Sequence, residues 1–245
     1  MKENKYDDLK FFNKYSEMPR SKDGLESAGE WPILKEMLPK FNDKNVLDIG
    51  CGFGWHCRYA SENGAKYVLG IDISKNMINR AKETTHQNNI EYKCIAMEDL
   101  DVKDKSFDLV ISSLALHYVK DFEIICKKAY NILEKNGDFI FSVEHPIFTS
   151  NEKQDFEYTA DNEITHWPID NYLDESIRHT NFLGEDVVKY HRTVETYINT
   201  LIKNGFIINE ISKLLALNDM VDENPYLINE LKRPMFLLIS ASKFR

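Results

Sequence analysis

Residues 46–55 constrain the fold more strongly than any other part of the chain. They read VLDIGCGFGW, so a short apolar run leads into glycines at positions 50, 52 and 54. Glycine lets the backbone turn tightly and approach a ligand closely, and a helix that begins after the turn presents free amide groups to the same ligand. This pattern predicts a β-strand, a ligand-binding turn and a helix in direct succession.

The spacing of these glycines argues against NAD or FAD as the ligand. The dinucleotide-binding pattern is G-x-G-x-x-G, and counting from Gly50 places Trp55 where the third glycine belongs. A second apolar run ends in Asp72, about 20 residues after the first glycine, where a carboxylate can accept hydrogen bonds from ribose hydroxyl groups. The alternative for Asp72 is a carboxylate at a helix N-terminus, next to the N-cap residue Ser74.

Short apolar runs and helical patterns alternate along most of the chain. Strand patterns cover residues 46–49, 67–73, 90–96, 107–112 and 138–143, and helical patterns cover residues 55–62, 75–84 and 121–134. This alternation is typical of βαβ units, in which helices cover a parallel sheet.

The C-terminal part completes the sheet in a different way. A helix over residues 193–204 is followed by strands over residues 206–212 and 235–242, with a short helix over residues 225–233 between them. Two strands in succession without a full crossover helix imply an antiparallel pair. We therefore predict one α/β domain with a doubly wound, mostly parallel sheet of seven strands, of which the last is antiparallel.

Residues 145–192 interrupt this regular pattern. Aromatic residues and histidines lie here among acidic residues, and no helical or strand periodicity is visible. Long irregular segments in compact domains are usually lids or binding loops. We therefore predict a lid, inserted after the fifth strand, over a site at the carboxyl edge of the sheet.

The charge balance and the cysteines exclude several kinds of partner. The chain has 40 acidic and 31 basic residues and a formal net charge of −9, so a nucleic acid backbone is repelled on average. Cys51, Cys57, Cys94 and Cys126 form no C-x-x-C pair and have no spacing expected of a zinc site. We expect free thiols in a reducing compartment, no bound metal and no nucleic acid partner.

No targeting or membrane-spanning segment is visible in the sequence. Residues 1–10 are charged, and no apolar run approaches the roughly 18 to 20 residues that a membrane span needs. We expect a cytoplasmic protein without a membrane partner.

The glycine turn and the acidic residue after the second strand resemble motif I and the acidic ribose loop of class I S-adenosylmethionine-dependent methyltransferases. The resemblance extends from about residue 45 to the C-terminus. It implies a Rossmann-like methyltransferase domain over residues 45–245 and S-adenosyl-L-methionine as the cofactor. At the matching positions, the cofactor-binding residues that it implies are Asp48, Gly50, Cys51, Gly52, Asp72, Ile73 and Met77.

Two further segments are similar to cofactor-binding segments of the same family. Residues 96–100, AMEDL, resemble the adenine loop, which implies contacts from Met97 and Glu98, although an alanine stands where many members have an aspartate. Residues 106–119 resemble the region of the fourth strand, which implies that Ser113 and Leu114 lie beside the methionine part of the cofactor. Methyltransferases that act on amino groups of adenine or cytosine carry [D/N]-P-P-[Y/F] here, whereas this chain has SSLA.

The N-terminal segment and three later strings resemble a bacterial small-molecule branch of the family. Residues 15–20 and 30–32 are similar to its N-terminal cap, which implies a cap over residues 1–44 with Tyr15 and Arg20 at the cofactor. The Arg20 guanidinium is suited to pair with the cofactor carboxylate, and its alternative is a solvated side chain. The later strings are residues 144–146, 167–168 and 189–193. The residues expected at the substrate are Glu144, Trp167, Tyr172 and Tyr190.

The expected reaction is the transfer of a methyl group to an oxygen or nitrogen atom of a small molecule. Displacement at an activated carbon needs mainly a collinear arrangement of acceptor, methyl and sulfur. A hydroxyl or protonated amine acceptor also needs a base, and histidine has a suitable pKa. The candidate bases are His145, His191 and His117, in that order, and each has the alternative of a structural histidine bonded to the backbone.

Two alternative functions are compatible with the same predicted fold. The first is methylation of tRNA or protein, which the acidic balance and the short N-terminal arm argue against. The second is binding of the cofactor without catalysis, which a collapsed acceptor pocket would indicate.

Overall fold

The structure is a computed structural model that describes residues 4–102, 106–213 and 231–244. Its N-terminal segment forms three short helices before the sheet begins. They are α1 (Leu9–Ser16), α2 (Pro19–Lys22) and α3 (Trp31–Met37), and single 3₁₀ turns lie at Lys5–Asp7 and Gly24–Ser27.

Strands and helices then alternate as predicted. This part consists of β1 (Asn45–Ile49), α4 (Trp55–Glu62), β2 (Tyr67–Asp72), α5 (Lys75–Glu83), β3 (Ile90–Cys94), β4 (Phe107–Ser113), α6 (Phe122–Ile132) and β5 (Leu133–Glu144). The chain continues with α7 (Pro146–Thr149), β6 (Glu157–Tyr158), β7 (Ile164–His166), β8 (Ile177–Phe182), β9 (Glu185–Tyr190), α8 (Val194–Lys203), β10 (Phe206–Lys213) and β11 (Phe236–Lys243). None of the described helices is long and apolar enough to cross a membrane.

Seven strands form one sheet in the order β10-β11-β5-β4-β1-β2-β3. Neighbouring strands are parallel except at β11, which is antiparallel to both β5 and β10. The predicted sheet, doubly wound and mostly parallel with an antiparallel last strand, is therefore confirmed. Most of the helix predicted at residues 225–233 lies outside the described residues.

Alternate residues of the central strands pack on opposite faces of the sheet. Leu47 and Val110 belong to a core cluster with Ile125 of α6, whereas Val46 and Leu109 belong to a second cluster. The second cluster includes residues of α3 and α4, so helices cover both faces. A parallel sheet that is buried on both sides has strands that are continuous apolar runs, which is how they appear in the sequence.

The fifth strand begins earlier than predicted, at residue 133 rather than residue 138. Leu133 pairs with Phe107 and Asp138 pairs with Leu109, so the residues between them form a bulge. Helix α6 correspondingly ends at residue 132 rather than at residue 134.

The insertion after β5 is not irregular, so that expectation is wrong. It contains α7 and two antiparallel hairpins, β6–β7 and β8–β9. In the second hairpin Leu183 has a φ of +56° and Gly184 a φ of +76°, as a two-residue type I′ turn requires. The inward-facing Arg178, Thr180 and Lys189 are each at most 3% exposed. Because these buried residues are polar, the alternation of the strands is not visible as hydrophobic periodicity.

Candidate active site

A cavity of about 390 Å³ lies at the carboxyl edge of the sheet and is lined by residues of the sheet, the N-terminal segment and the insertion. Open α/β sheets bind their ligands at this edge. The cavity brings together residues that are far apart in the sequence. Those predicted as site residues are Tyr15, Arg20, Gly50, Gly52, Asp72, Ile73, Met77, Met97, Glu98, Ser113, Leu114, His117 and Glu144.

The glycine turn after β1 has the backbone shape that the sequence pattern predicts. Gly50 has a φ of +73°, and a Cβ atom there would lie 2.3 Å from the Cβ of Ala115. Gly52 has a φ of +52°, and a Cβ atom there would meet no atom within 4 Å. The turn is therefore tightly packed at Gly50 and open towards the cavity at Gly52, which fits the close approach of a ligand.

Asp72 lies at the end of β2 and faces both the turn and the cavity. Its Oδ2 accepts from the Gly52 amide at 3.0 Å, and its Oδ1 accepts from the Ser74 amide at 2.9 Å. Burial raises the pKa of Asp72 to about 6, although these amide bonds stabilise the ionised form. The carboxylate is thus held in place while each oxygen keeps a lone pair for a ligand.

Asp48 lies beneath the glycine turn and does not line the cavity. It is 1% exposed, its Oδ2 accepts from Cys57 Sγ at 3.2 Å, and its Oδ1 has no hydrogen-bond partner. Burial raises the pKa of Asp48 to about 7. A carboxyl group with this pKa keeps its proton in mildly acidic solution, where an ordinary aspartate is ionised, and loses it around neutral pH.

Replacing Asp48 by asparagine is expected to stabilise the protein more at pH 8 than at pH 5. The carboxyl has a pKa of about 7 when folded, compared with about 3.9 for an unperturbed aspartate. The folded state therefore holds a proton that the unfolded state releases, and the wild type loses on the order of 3 kcal/mol as the pH rises through this range. Asparagine does not titrate. Urea unfolding of both proteins at both pH values checks this, and a difference that is independent of pH contradicts it.

Arg20 is not a solvated side chain but belongs to a buried network. Its Nη2 donates to Glu30 Oε1 at 2.7 Å, and Ser113 Oγ donates to the same oxygen at 2.8 Å. The Glu30 residue is 1% exposed. A second cavity of about 60 Å³ lies beside this network and the glycine turn, and Cys51 lines it together with Arg20.

The N-terminal segment contacts both α5 and the β8–β9 hairpin. Ser74 Oγ, at the start of α5, donates to Asp7 Oδ1 at 2.6 Å. Lys10 Nζ lies 2.9 Å from Glu185 Oε1 at the start of β9, and the rings of Phe11 and Phe182 are 5.8 Å apart. These contacts place the segment beside the cavity, with Tyr15 in its wall.

A buried ion pair lies at the other end of the cavity. Lys189 Nζ donates to Glu144 Oε1 at 2.6 Å and to Gln154 Oε1 at 3.2 Å. Burial favours the neutral form of Glu144, but interactions with His117 and Lys189 outweigh it and lower the pKa of this carboxyl. Lys189 belongs to the string over residues 189–193 that resembles the small-molecule branch, but it was not among the predicted site residues, and no local pattern marks Gln154. The β8–β9 hairpin brings Lys189 to the cavity.

The three candidate histidines lie in different surroundings. His117 lines the cavity, and burial lowers its pKa to about 4. Its Nδ1 accepts from the Glu144 amide at 3.4 Å, so Nε2 carries the proton of the neutral ring. His145 and His191 do not line the cavity.

In the described part of the chain, no group of three or more His, Cys, Asp or Glu side chains is arranged to hold a metal ion.

The rings of His145 and His191 bond to structural partners. His145 Nδ1 accepts from the Ile147 amide at 3.1 Å, at the start of α7. His191 lies 2.9 Å from the Tyr172 carbonyl through Nε2 and 2.6 Å from Thr149 Oγ1 through Nδ1. Because a carbonyl only accepts, Nε2 must donate and Nδ1 must accept.

Trp167, Tyr172 and Tyr190 also lie outside the cavity lining. Trp167 stacks on Phe148, which does line the cavity, with ring centroids 5.1 Å apart. Tyr172 Oη accepts from the Val194 amide at 3.2 Å. Of the four predicted substrate residues, Glu144 alone lines the cavity among the described residues, and Trp167 supports its wall from behind.

Comparison with known proteins gives a consistent picture. Residues 47–141 match a family described as methyltransferase domain. A candidate S-adenosylmethionine-dependent methyltransferase from Listeria monocytogenes is 52% identical, with a TM-score of 0.85 over 90% of this chain and 99% of that chain. An S-adenosylmethionine-dependent methyltransferase from Mesorhizobium loti is 43% identical, with a TM-score of 0.84 over 89% of this chain and 100% of that chain.

A curated relative matches a shorter part of this chain. A ubiquinone biosynthesis O-methyltransferase from Neisseria meningitidis is 35% identical over 131 residues, which are 48% of this chain and 55% of that protein. The chain thus spans about half the length of this relative. Together with the sheet order and the glycine turn, these matches show that the chain is an enzyme of the S-adenosylmethionine-dependent methyltransferase family.

Proposed function

We propose that this methyltransferase acts on a small molecule and places the methyl group on an oxygen or nitrogen atom. The observation that carries the proposal is one cavity with two different ends. The glycine turn and Asp72 line one end, and Glu144 and Lys189 line the other. A concave, partly open cavity of about 390 Å³ suits a small acceptor beside the cofactor better than it suits the surface of a protein or tRNA.

The residues at the first end fit the cofactor. S-adenosylmethionine supplies a methyl group on a positively charged sulfur, which is activated for displacement. Asp72 is placed to accept from ribose hydroxyl groups, and Gly52 leaves space for the backbone to approach the ligand. The other residues that we assign to the cofactor are Tyr15, Arg20, Asp48, Gly50, Cys51, Ile73, Met77, Met97, Glu98, Ser113 and Leu114, with Asp48 acting from beneath the turn.

We assign the second end to the acceptor. Glu144 and Lys189 together offer a hydrogen-bond acceptor and a donor, so they suit a polar molecule. His117 presents Nε2–H because its Nδ1 is occupied, so it serves to orient the acceptor. His145 and His191 keep their rings in structural hydrogen bonds. The Neisseria relative, by its name an O-methyltransferase of ubiquinone biosynthesis, is consistent with a small acceptor.

We further propose that residues 1–44 act as a cap and residues 145–192 as a lid. The support is the contact between the two parts, through the pairs formed by Lys10 with Glu185 and by Phe11 with Phe182. Both segments also contribute side chains to the cavity wall, including Tyr15 and Lys189. Closure over the site would exclude water from the displacement.

The first test is calorimetric titration with S-adenosylmethionine and S-adenosylhomocysteine, with NAD as the control ligand. We expect micromolar binding of both sulfur compounds and none of NAD. The second test incubates the enzyme with methyl-labelled S-adenosylmethionine and separate metabolite, protein and tRNA fractions of a cell extract. Label in the metabolite fraction supports the proposal, whereas label only in protein or tRNA overturns it. A folded protein that binds the cofactor but labels no fraction would favour cofactor binding without catalysis.

A further inference from the structure

The acceptor end of the large cavity presents hydrogen-bond donors, and His117 is the first of them. Its side chain is buried and lines the cavity. Nδ1 accepts from the Glu144 amide at 3.4 Å, so Nε2 carries the proton of the ring. A general base needs a free lone pair for the proton that it removes. The one lone pair of His117 is in a backbone bond, so this ring can donate to an acceptor molecule but cannot deprotonate it.

Two tyrosine hydroxyl groups lie in the same cavity. Tyr6 and Tyr118 both line it, and their Oη atoms are 3.2 Å apart. Burial raises the pKa of both side chains, so both keep their protons at neutral pH. Only one of the two protons can lie between the oxygens, and the other is available to a third group. The rings of Tyr118 and His117 have centroids 4.4 Å apart, so these side chains form one group of donors.

Lys189 adds a positive charge to this group. Strand β9 carries it and contacts the 3₁₀ turn that includes His117. Glu144 Oε1 and Gln154 Oε1 accept from Lys189 Nζ at 2.6 and 3.2 Å, which leaves a third N–H group for a ligand. Lys153 is exposed and also lines the cavity. Among the described residues at this end, two lysines therefore accompany the one Glu144 carboxylate.

The Glu144 carboxylate is poorly suited to act as the base. Lys189 donates to its Oε1, and Gln154 Nε2 donates to its Oε2 at 3.1 Å, so each oxygen already has a donor. His117 and Lys189 lower the pKa of this carboxyl, whereas a base works best with a pKa near the operating pH. In the described part of the wall, the acceptor end thus offers donors and positive charge but no base of suitable pKa.

These groups fit an acceptor that is a nucleophile without losing a proton. A carboxylic acid meets this condition, since its pKa of about 4 leaves it ionised at neutral pH. A hydroxyl or ammonium group does not, because each keeps its proton until a base removes it. The donors also favour an anion, since hydrogen bonds to a charged group are about twice as strong as those between neutral groups.

We propose that the acceptor is a small carboxylic acid, bound as its carboxylate by His117 Nε2, Lys189 and the Tyr6–Tyr118 pair, and that the product is its methyl ester. The proposal rests on the proposed function and narrows its acceptor. One carboxylate oxygen forms the bond to the methyl carbon, and the bond from that carbon to sulfur breaks with its electron pair left on the sulfur. The charges of the carboxylate and the sulfonium are both neutralised. No proton is released, so no base is needed.

The first test is the alkali lability of the transferred methyl group. The enzyme is incubated with methyl-labelled S-adenosylmethionine and the metabolite fraction, the unreacted cofactor is removed, and mild alkali is added. Hydroxide cleaves a methyl ester to methanol but leaves methyl ethers and N-methyl groups intact, so most of the label should become volatile. Labelled 4-methoxybenzoate, a methyl ether, is the control that should stay in solution.

The outcomes of this test are distinct. Label that stays in solution overturns the proposal and leaves the proposed function intact. A metabolite fraction without label contradicts the proposed function itself, and the assignment of the acceptor falls with it. A second measurement uses the purified acceptor in weakly buffered solution with a pH indicator. Each methyl transfer should release no proton, whereas methylation of a hydroxyl or ammonium group releases one and overturns the proposal.

The third test changes the donors. His117→Leu removes Nε2–H and Tyr118→Phe removes one hydroxyl group, so each should lower kcat/KM for the acid roughly 10- to 100-fold. His117→Gln keeps an N–H donor and should lose less. All three should keep the affinity for S-adenosylhomocysteine within about twofold of wild type. His86→Leu, at an exposed position after α5, is the matched control and should change neither quantity.

Two further results decide the role of these side chains. If His117→Leu and Tyr118→Phe keep the wild-type kcat/KM, or lose affinity for S-adenosylhomocysteine to the same extent, they do not bind the acid and the proposal is overturned. If a variant does not fold, as thermal unfolding would show, the alkali and proton measurements on the wild type decide alone.

Discussion

Replacing Gly50 by alanine is expected to lower the free energy of unfolding by about 2 to 5 kcal/mol. Two costs add at this position. The backbone has a φ of +73°, which strains any residue with a Cβ atom, and the new atom would lie 2.3 Å from the Cβ of Ala115. The neighbouring chain after β4 must then move away from the turn. Urea unfolding monitored by circular dichroism measures the loss.

Gly52→Ala is the matched control for this prediction. Gly52 also has a positive φ, of +52°, but a Cβ atom there meets nothing within 4 Å. This variant should lose only about 1 to 2 kcal/mol from backbone strain. In the proposed cofactor site this methyl group would enter the space of the ligand, so the affinity for S-adenosylhomocysteine should fall at least about 100-fold, as expected from a clash of more than 2.7 kcal/mol. Similar stability losses in the two variants would contradict the packing difference between the two glycines.

Replacing Lys189 by methionine is expected to cost about 3 to 5 kcal/mol at neutral pH, because it leaves the Glu144 carboxylate buried without its counter-ion. In the wild type the pKa of Glu144 is lowered, so the carboxylate adds stability above its unfolded pKa and loses it as the pH falls. In the variant, burial acts without Lys189 and the pKa rises. The variant should therefore regain stability relative to wild type as the pH falls from 7 to 5.

The double variant Lys189→Met with Glu144→Gln separates charge from packing. It removes both charges, so it should recover most of the loss at neutral pH, since replacing a whole buried pair is often close to neutral. Urea unfolding of the wild type, the two single variants and the double variant gives the coupling energy between the two side chains. A double variant as unstable as Lys189→Met would show that lost packing, and not an unpaired charge, causes the effect.

The sheet, and the gathering of the glycine turn and Asp72 at one cavity, could be predicted because they depend on local patterns. Strands buried on both faces are continuous apolar runs, and the glycines at 50 and 52 are needed for positive φ values within a few residues of the strand. Asp72 follows from its place at the end of the next strand. The predicted bounds differ from the structure mainly at β5, where a bulge that depends on pairing with β4 adds residues to the strand.

The acceptor end could not be predicted in the same way. Lys189 reaches the cavity because β8 and β9 pair, and the buried face of this hairpin carries polar side chains that hide its periodicity. The surroundings of His191 depend on Thr149 and on the Tyr172 carbonyl, which are 42 and 19 residues away along the chain. The buried network of Glu30 likewise depends on Arg20, 10 residues away along the chain, and on Ser113, 83 residues away. Contacts between distant segments leave no local trace in the residue pattern.

The place of β11 in the sheet has a consequence for the synthesis of the chain. This strand lies between β5 and β10, and among the described strands β10 has no other neighbour in the sheet. While a ribosome makes the protein, β10 emerges before the strand that must join it to β5. Phe236, at the start of β11, pairs with Glu144 and lines the same cavity. This wall of the cavity is therefore completed only after β11 has been made, later than β5 and the β8–β9 hairpin, which supply Glu144 and Lys189.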